Sequence, residues 1–164
     1  MRLLLVRHGE AVERGKEGIP DDLRPLTREG ERRFRKAARG LARLGPTPDL
    51  ILTSPLPRAR RTAEIAARAF GRVQIRESAN LASGDHEALA QELAGHEEDL
   101  VALFGHEPHL SALLAALLGS VAPDRLAFGK GGAALVDLPG GLSKGGQLAF
   151  FLPPKLLRRA ASKD

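Results

Sequence analysis

Arg7 and His8 close an apolar run, LLLV (3–6), and are followed directly by Gly9 and Glu10. Two other apolar runs end in equally loaded turns. LILT (50–53) leads into SPLPRARRTAE (54–64), with Arg58 near a helix start, and LVALF (100–104) leads into GHEPH (105–109), which carries His106. Two fixed guanidiniums together with helix N-termini form a site for a tetrahedral dianion. A neutral imidazole facing phosphorus can act as a nucleophile and become a phosphohistidine. Cationic neighbours disfavour the imidazolium, so His8 is expected to stay unprotonated near neutral pH. Arginines also stabilise the charge that spreads over the equatorial oxygens during phosphoryl transfer. The chain has no cysteine, so a thiolate nucleophile, a thiolate metal site and disulfides are excluded.

These residues are useful only if the chain brings them together, and the patterning says how. Apolar runs alternate with helical periodicities, the mark of an α/β domain. The runs 3–6, 50–53, 73–75 and 100–104 read as strands, and 133–153 reads as two strands joined by a glycine-rich connection, which makes the sheet mixed. From Thr27 as N-cap, Phe34, Ala37, Ala38, Leu41 and Leu44 recur at helical spacing until Gly45-Pro46 stops them. Further helices are expected from Arg58 to Phe70, after Asp85 as N-cap with Leu89 and Leu93 on one face, and from Pro108. In parallel α/β sheets ligands sit at the carboxyl ends of the strands. Arg7, His8, Arg58 and His106 should therefore converge on one edge. Residues 1–153 are expected to form a single domain, with 154–164 a short C-terminal tail or helix.

VRHGEA, RPLT-x-x-G, SP-x-x-RA-x-x-TAE and GHEPHL, in this order and spacing, resemble the histidine phosphatase superfamily, with its phosphoglycerate-mutase-like fold. The short chain and the RPLT and GHEP forms are similar to its SixA-type phosphohistidine phosphatase branch. The resemblance covers about residues 1–152 and implies a three-layer α/β/α sandwich with a mostly parallel, mixed sheet of about six strands. It makes His8 the phosphoryl-accepting nucleophile, places Arg7, Arg58 and His106 in the phosphate pocket, and adds Arg24 of RPLT to the pocket lining. It implies a metal-independent phosphatase with no cofactor, acting on a phosphorylated substrate such as a phosphohistidine-bearing protein domain in signalling.

One segment departs from the wider superfamily. Residues 77–89, ESANLASGDHEAL, lack the pattern that carries a catalytic acid in mutases and broad acid phosphatases. Asp85, His86 and Glu87 stand either as proton donors or as helix-cap and first-turn residues. A phosphoramidate needs no such donor, because its imidazole can leave already protonated, whereas an alkyl phosphate does. A small-molecule phosphomonoesterase of the same superfamily is thus the alternative within the class.

Composition weighs on the remaining readings. The net charge is +5, with 19 arginines against 6 lysines. Arginine forks suit phosphate, but most of the run REGERRFRKAAR (28–39) is most simply the wet face of an amphipathic helix. A non-catalytic phospho- or nucleic-acid-binding module is the alternative from another class. With no Trp or Tyr and six Phe, stacking platforms for bases are hard to build, and no nucleic-acid partner is expected. No apolar run approaches the ~20 residues of a membrane span, so a cytoplasmic protein without membrane partners is expected. His106 and His109, three apart across a proline and without a carboxylate cluster, do not indicate a metal site. His96 and His109 are expected on solvated surfaces, and Glu10 is expected to pair with a neighbouring arginine.

Overall fold

The computed structural model describes residues 1–119 and 122–161. Six strands form one sheet: β1 Arg2–Arg7, β2 Leu50–Thr53, β3 Ile75–Glu77, β4 Leu100–Gly105, β5 Ala133–Asp137 and β6 Gln147–Leu152, in the order β3-β2-β4-β1-β5-β6. β1 to β4 run parallel and β5 runs antiparallel between β1 and β6, so the sheet is mixed and mostly parallel. β1, β2 and β4 are buried on both faces, as a covered parallel sheet requires. Alternate residues feed two cores. Leu4, Val6, Ile51, Ala102 and Phe104 meet α1 (Arg28–Leu44), α2 (Pro57–Ala69) and α6 (Pro154–Ala160). Leu3, Leu5, Leu52, Val101 and Leu103 meet α3 (Asn80–Ser83), α4 (His86–Ala94) and α5 (His109–Leu117). The result is a three-layer α/β/α sandwich.

Local chemistry explains the boundaries. The Thr27 hydroxyl accepts from the Gly30 amide at 2.8 Å and starts α1. The Asp85 carboxylate accepts from the Ala88 amide at 2.9 Å and starts α4. Both are N-caps that satisfy otherwise orphaned helix donors. The third strand differs from expectation: it spans 75–77 rather than 73–75. α2 ends by unwinding through Gly71 and Arg72, both at positive φ, and this turn takes up Val73 before pairing with β2 can begin. α2 and α5 are also displaced by one residue, because Pro57 takes the first helical position and Pro108 sits at the N-cap before His109. The single turn α3 has no periodicity to reveal it.

Residues 154–160 form α6, and Leu157 is fully buried in the core, at 0% accessibility. Burying a leucine contributes about 2 kcal/mol. Gly40 makes the contact possible, since a Cβ there would run into the Leu157 carbonyl. Residues 162–164 of the expected tail lie outside the described residues.

Candidate active site

The hydrogen-bond ladder carries past the strand ends and sets the site. The His8 amide donates to the Gly105 carbonyl at 3.1 Å, and the Ser54 amide donates to the Phe104 carbonyl at 2.9 Å. β1 and β4 run in register with Arg7 opposite Gly105. His8 and His106 therefore follow as neighbours, with ring centroids 5.2 Å apart. Both are buried, as is Arg58, each about 5–6% exposed.

The His8 ring has its tautomer fixed by the backbone. Nδ1 lies 2.7 Å from the Gly9 carbonyl oxygen, which can only accept, so Nδ1 carries the proton and Nε2 keeps its lone pair. Gly9 is held in turn by Thr62, whose hydroxyl accepts from the Gly9 amide at 3.0 Å and donates to the Arg58 carbonyl at 2.6 Å. One threonine on α2 thus ties the histidine turn to the helix turn that carries Arg58. Burial pushes the His8 imidazole down to about 4 against the opposing effect of the Gly9 carbonyl, and the charges of Arg58, Arg7 and Arg24 add to the depression.

His106 is organised from the other side. The Leu56 amide donates to Ser54 Oγ at 3.2 Å, and Ser54 Oγ lies 2.8 Å from His106 Nε2. With the serine hydroxyl donating to Nε2, Nδ1 carries the proton. Burial, then the neighbouring charges of His8 and Arg58, push His106 down to about 3.

Each arginine is anchored by a carbonyl. Arg7 Nη1 donates to the Phe128 carbonyl at 2.5 Å, Arg58 Nη1 to the Asp21 carbonyl at 2.8 Å, and Arg24 Nη1 to the Val12 carbonyl at 2.7 Å. The segment bearing Phe128 is fixed by Glu107, which accepts from the Phe128 amide and from the Ser111 hydroxyl. Three buried side-chain polar atoms have no hydrogen-bond partner among the described residues: Arg7 Nε, Arg58 Nε and His106 Nδ1. Buried donors are seldom left unpaired. That all three belong to this cluster marks it as built for an acceptor-rich ligand.

The structure thus brings Arg7, His8, Arg58, His106 and Arg24 together at one sheet edge. Of the three acid candidates, two are exposed to solvent, and His86 shares a small hollow with His106 and His109. Asp85 is exposed and spent as the α4 cap, Glu87 is exposed in the first turn, and His86 Nε2 lies 3.0 Å from the His109 carbonyl. His109 differs from expectation as well. It is half-buried, with its ring packed over Gly84, which has no Cβ to obstruct it. His96 is likewise half-buried and meets Glu98 at 3.1 Å. Glu10 pairs with Arg33 at 3.3 Å.

Sequence reasoning missed Asp21. Its carboxylate meets Arg14 and Arg24 at 2.9 Å and comes within 3.8 Å of Arg58. Burial opposes the shift, but the hydrogen bonds from Arg24 and Arg14 hold this carboxyl below the usual range. Only the spacing Asp21-x-x-Arg24 hinted at it. Among the described residues, no group of three or more His, Cys, Asp or Glu could hold a metal ion, and no helix is long and apolar enough to cross a membrane.

A mixed α/β sandwich with two neutral histidines and three arginines at its carboxyl edge is a fold and site suited to phosphoryl groups. The chain belongs to the histidine phosphatase superfamily (branch 1), whose profile matches residues 3–89. Within it the chain falls in the SixA-type branch. A structure assigned as the phosphohistidine phosphatase SixA of Agrobacterium tumefaciens is 28% identical, with a TM-score of 0.78 over 93% of this chain and 97% of that one. The protein histidine phosphatase SixA complexed with tungstate is 25% identical, with a TM-score of 0.80 over 96% and 99%. An uncharacterized protein of Picosynechococcus is 49% identical over 69 residues, which is 42% of this chain and 41% of the relative. A probable phosphoglycerate mutase of Cronobacter sakazakii is 43% identical over 74 residues, 43% of this chain and 33% of the relative. The match thus spans about two fifths of the first of these curated relatives and a third of the second.

The two histidines make a prediction about pH. Their folded values, about 4 and about 3, lie below the ordinary 6.5. Between 6.5 and those values the unfolded chain binds more protons than the folded one, so their contribution to stability is present above 6.5 and is lost as pH falls toward 4. Urea midpoints at pH 7.5, 5.5 and 4.5 should fall steadily. The loss should be shallower when His8 and His106 are both alanine, and equal slopes would refute the buried neutral pair.

Proposed function

We propose that this protein is a phosphatase that works through a phosphohistidine on His8, without a metal ion, and that its substrate is a phosphohistidine carried by a protein. The observation that carries the reading is the meeting of one lone pair, His8 Nε2, with three unpartnered buried nitrogens on Arg7, Arg58 and His106. An oxyanion satisfies those donors while its central atom faces the lone pair. The relative complexed with tungstate, a tetrahedral oxyanion, supports the same ligand shape.

In the first step His8 Nε2 attacks phosphorus and the bond from phosphorus to the substrate imidazole breaks. That imidazole leaves neutral when its other nitrogen is already protonated, so no enzyme acid is required. Arg7, Arg58 and the His106 Nδ1 proton face the charge on the transferring oxygens. Water then attacks the phosphorus of phospho-His8, releasing phosphate and returning the free imidazole. The guanidiniums supply the positive field that a metal ion supplies elsewhere.

The solvent exposure of Glu87, the use of Asp85 as the α4 cap and the contact of His86 Nε2 with the His109 carbonyl support the phosphoramidate over an alkyl ester. A phosphohistidine peptide should be turned over about 10²–10⁴-fold more efficiently than glucose 6-phosphate, the usual worth of a positioned acid. Activity should persist in EDTA, and Asp85→Asn, His86→Ala and Glu87→Gln should each alter peptide turnover less than about threefold. Comparable kcat/KM on both substrates, or a several-hundred-fold loss in one of these variants, would move the assignment to a general phosphomonoesterase.

A further inference from the structure

Packing of α6 on α1 does more than close the core. It brings Arg32, Arg33 and Lys36 of α1 opposite Lys155, Arg158 and Arg159 of α6 around a cleft of about 390 Å³. The two basic runs lie some 120 residues apart in sequence, and only the fold confronts them. Like charges held together destabilise the state that holds them. Nearby carboxylates offset part of this, since Glu29 takes Arg32 and Arg33 at 2.7 Å and Glu10 takes Arg33. Lys36, Lys155 and Arg159 are exposed and have no ion pair among the described residues. Arg33 and Arg158 also line a second hollow of about 260 Å³, whose other walls include Lys130, Gly9 and Glu10, the two last being the residues that follow His8.

We infer that this cleft is a docking groove for an acidic segment of the protein that carries the phosphoryl group. The inference rests on the protein-phosphohistidine reading above and adds a recognition surface to it. Three observations favour an acidic polypeptide. The surface is a channel between two helices, which suits an extended acidic stretch better than the plane of a membrane. The adjoining hollow is walled by Gly9 and Glu10, so a chain seated in the groove lies beside the turn that follows the nucleophile. Its cations are distributed along both walls, Arg32, Arg33 and Lys36 on α1 and Lys155, Arg158 and Arg159 on α6, which suits carboxylates spaced along a chain.

The test separates docking from chemistry. A fluorescein-labelled twelve-residue peptide with one unmodified histidine and four flanking glutamates is compared with its glutamine counterpart by anisotropy. The same two peptides in phosphohistidine form, and phosphoramidate, are followed by phosphate release. The wild-type protein should bind the glutamate peptide about tenfold more tightly, the low end of what electrostatic steering gives, and 0.3 M NaCl should abolish the difference. Lys36→Glu, Lys155→Glu and Arg159→Glu combined should remove that preference and raise KM for the glutamate phosphopeptide about tenfold, with kcat and phosphoramidate turnover unchanged. The corresponding glutamines should fall between, and melting temperatures confirm that both variants fold. Equal binding of the two peptides, or a reversed-charge variant with unchanged binding, overturns the groove. Loss of binding to phosphatidylserine vesicles or to an oligonucleotide, with peptide binding intact, also overturns it. Absence of turnover on every phosphohistidine substrate, with selective peptide binding retained, refutes the proposed function and leaves the groove standing.

Discussion

His8→Ala is expected to lower turnover of a phosphohistidine peptide by at least about 10⁴-fold, in the range seen when a covalent nucleophile is removed. No cysteine is present to take over, and His106 Nε2 is engaged with Ser54 rather than open for attack. The fold should survive, because His8 lies at the strand end and, among the described residues, its ring hydrogen-bonds only to its own turn. Stability should even gain in mildly acidic solution, where the buried neutral imidazole is a liability. Brief exposure to ³²P-labelled phosphoramidate should label the wild-type protein in an acid-labile form and leave the variant unlabelled. A variant with near-normal turnover, or one labelled as strongly as wild type, would mean that the covalent route is wrong.

The second large effect is expected at Arg58. Arg58→Ala should reduce kcat by about 10²–10³-fold, the usual loss when one preorganised donor to a developing oxyanion is removed. Arg58→Lys should restore little, since one ammonium nitrogen cannot reproduce the span of the planar fork, whose Nη1 holds the Asp21 carbonyl while its Nε stays free for a phosphoryl oxygen. The effect should fall on kcat more than on KM, because the charge on the transferring oxygens is greatest in the transition state. A change confined to KM would make Arg58 a binding residue alone.

The cluster was largely legible because strand ends in a parallel sheet are a meeting place that sequence can name. Arg7, His8, Arg58 and His106 each follow an apolar run by a few residues, so their convergence needs only the topology. The Asp85 cap was legible for a similar reason, since an N-cap is a local pattern. Asp21 and Phe128 were not. Asp21 reaches Arg58 through an irregular loop with single helical turns at 16–18 and 21–23, and no periodicity reports the path of such a loop. The Phe128 carbonyl meets Arg7 across 121 residues through a backbone atom that every residue possesses. The third strand was misplaced because it is a short edge strand with two exposed residues, so it carries little of the burial signal on which strand reading depends. The run 28–39 was legible as a helix, whereas what stands opposite it was not, because α6 arrives from the far end of the chain.

The register of β1 against β4 has a consequence for how this protein can vary. The separation of the two histidines is stored in backbone hydrogen bonds, with Arg7 facing Gly105 and the His8 amide bonded to the Gly105 carbonyl. Exchange of one aliphatic side chain for another in either strand leaves that ladder untouched. The chemistry is thus insulated from drift in the core, and the loops around the pocket are free to diversify over a fixed pair of rings. The same storage makes the site intolerant of length. One residue gained or lost within β4 would turn the following side chains to the opposite face of the sheet, carrying His106 away from His8. Substitution is the route by which this framework can acquire new substrates, and insertion is safe only beyond the ends of its two central strands.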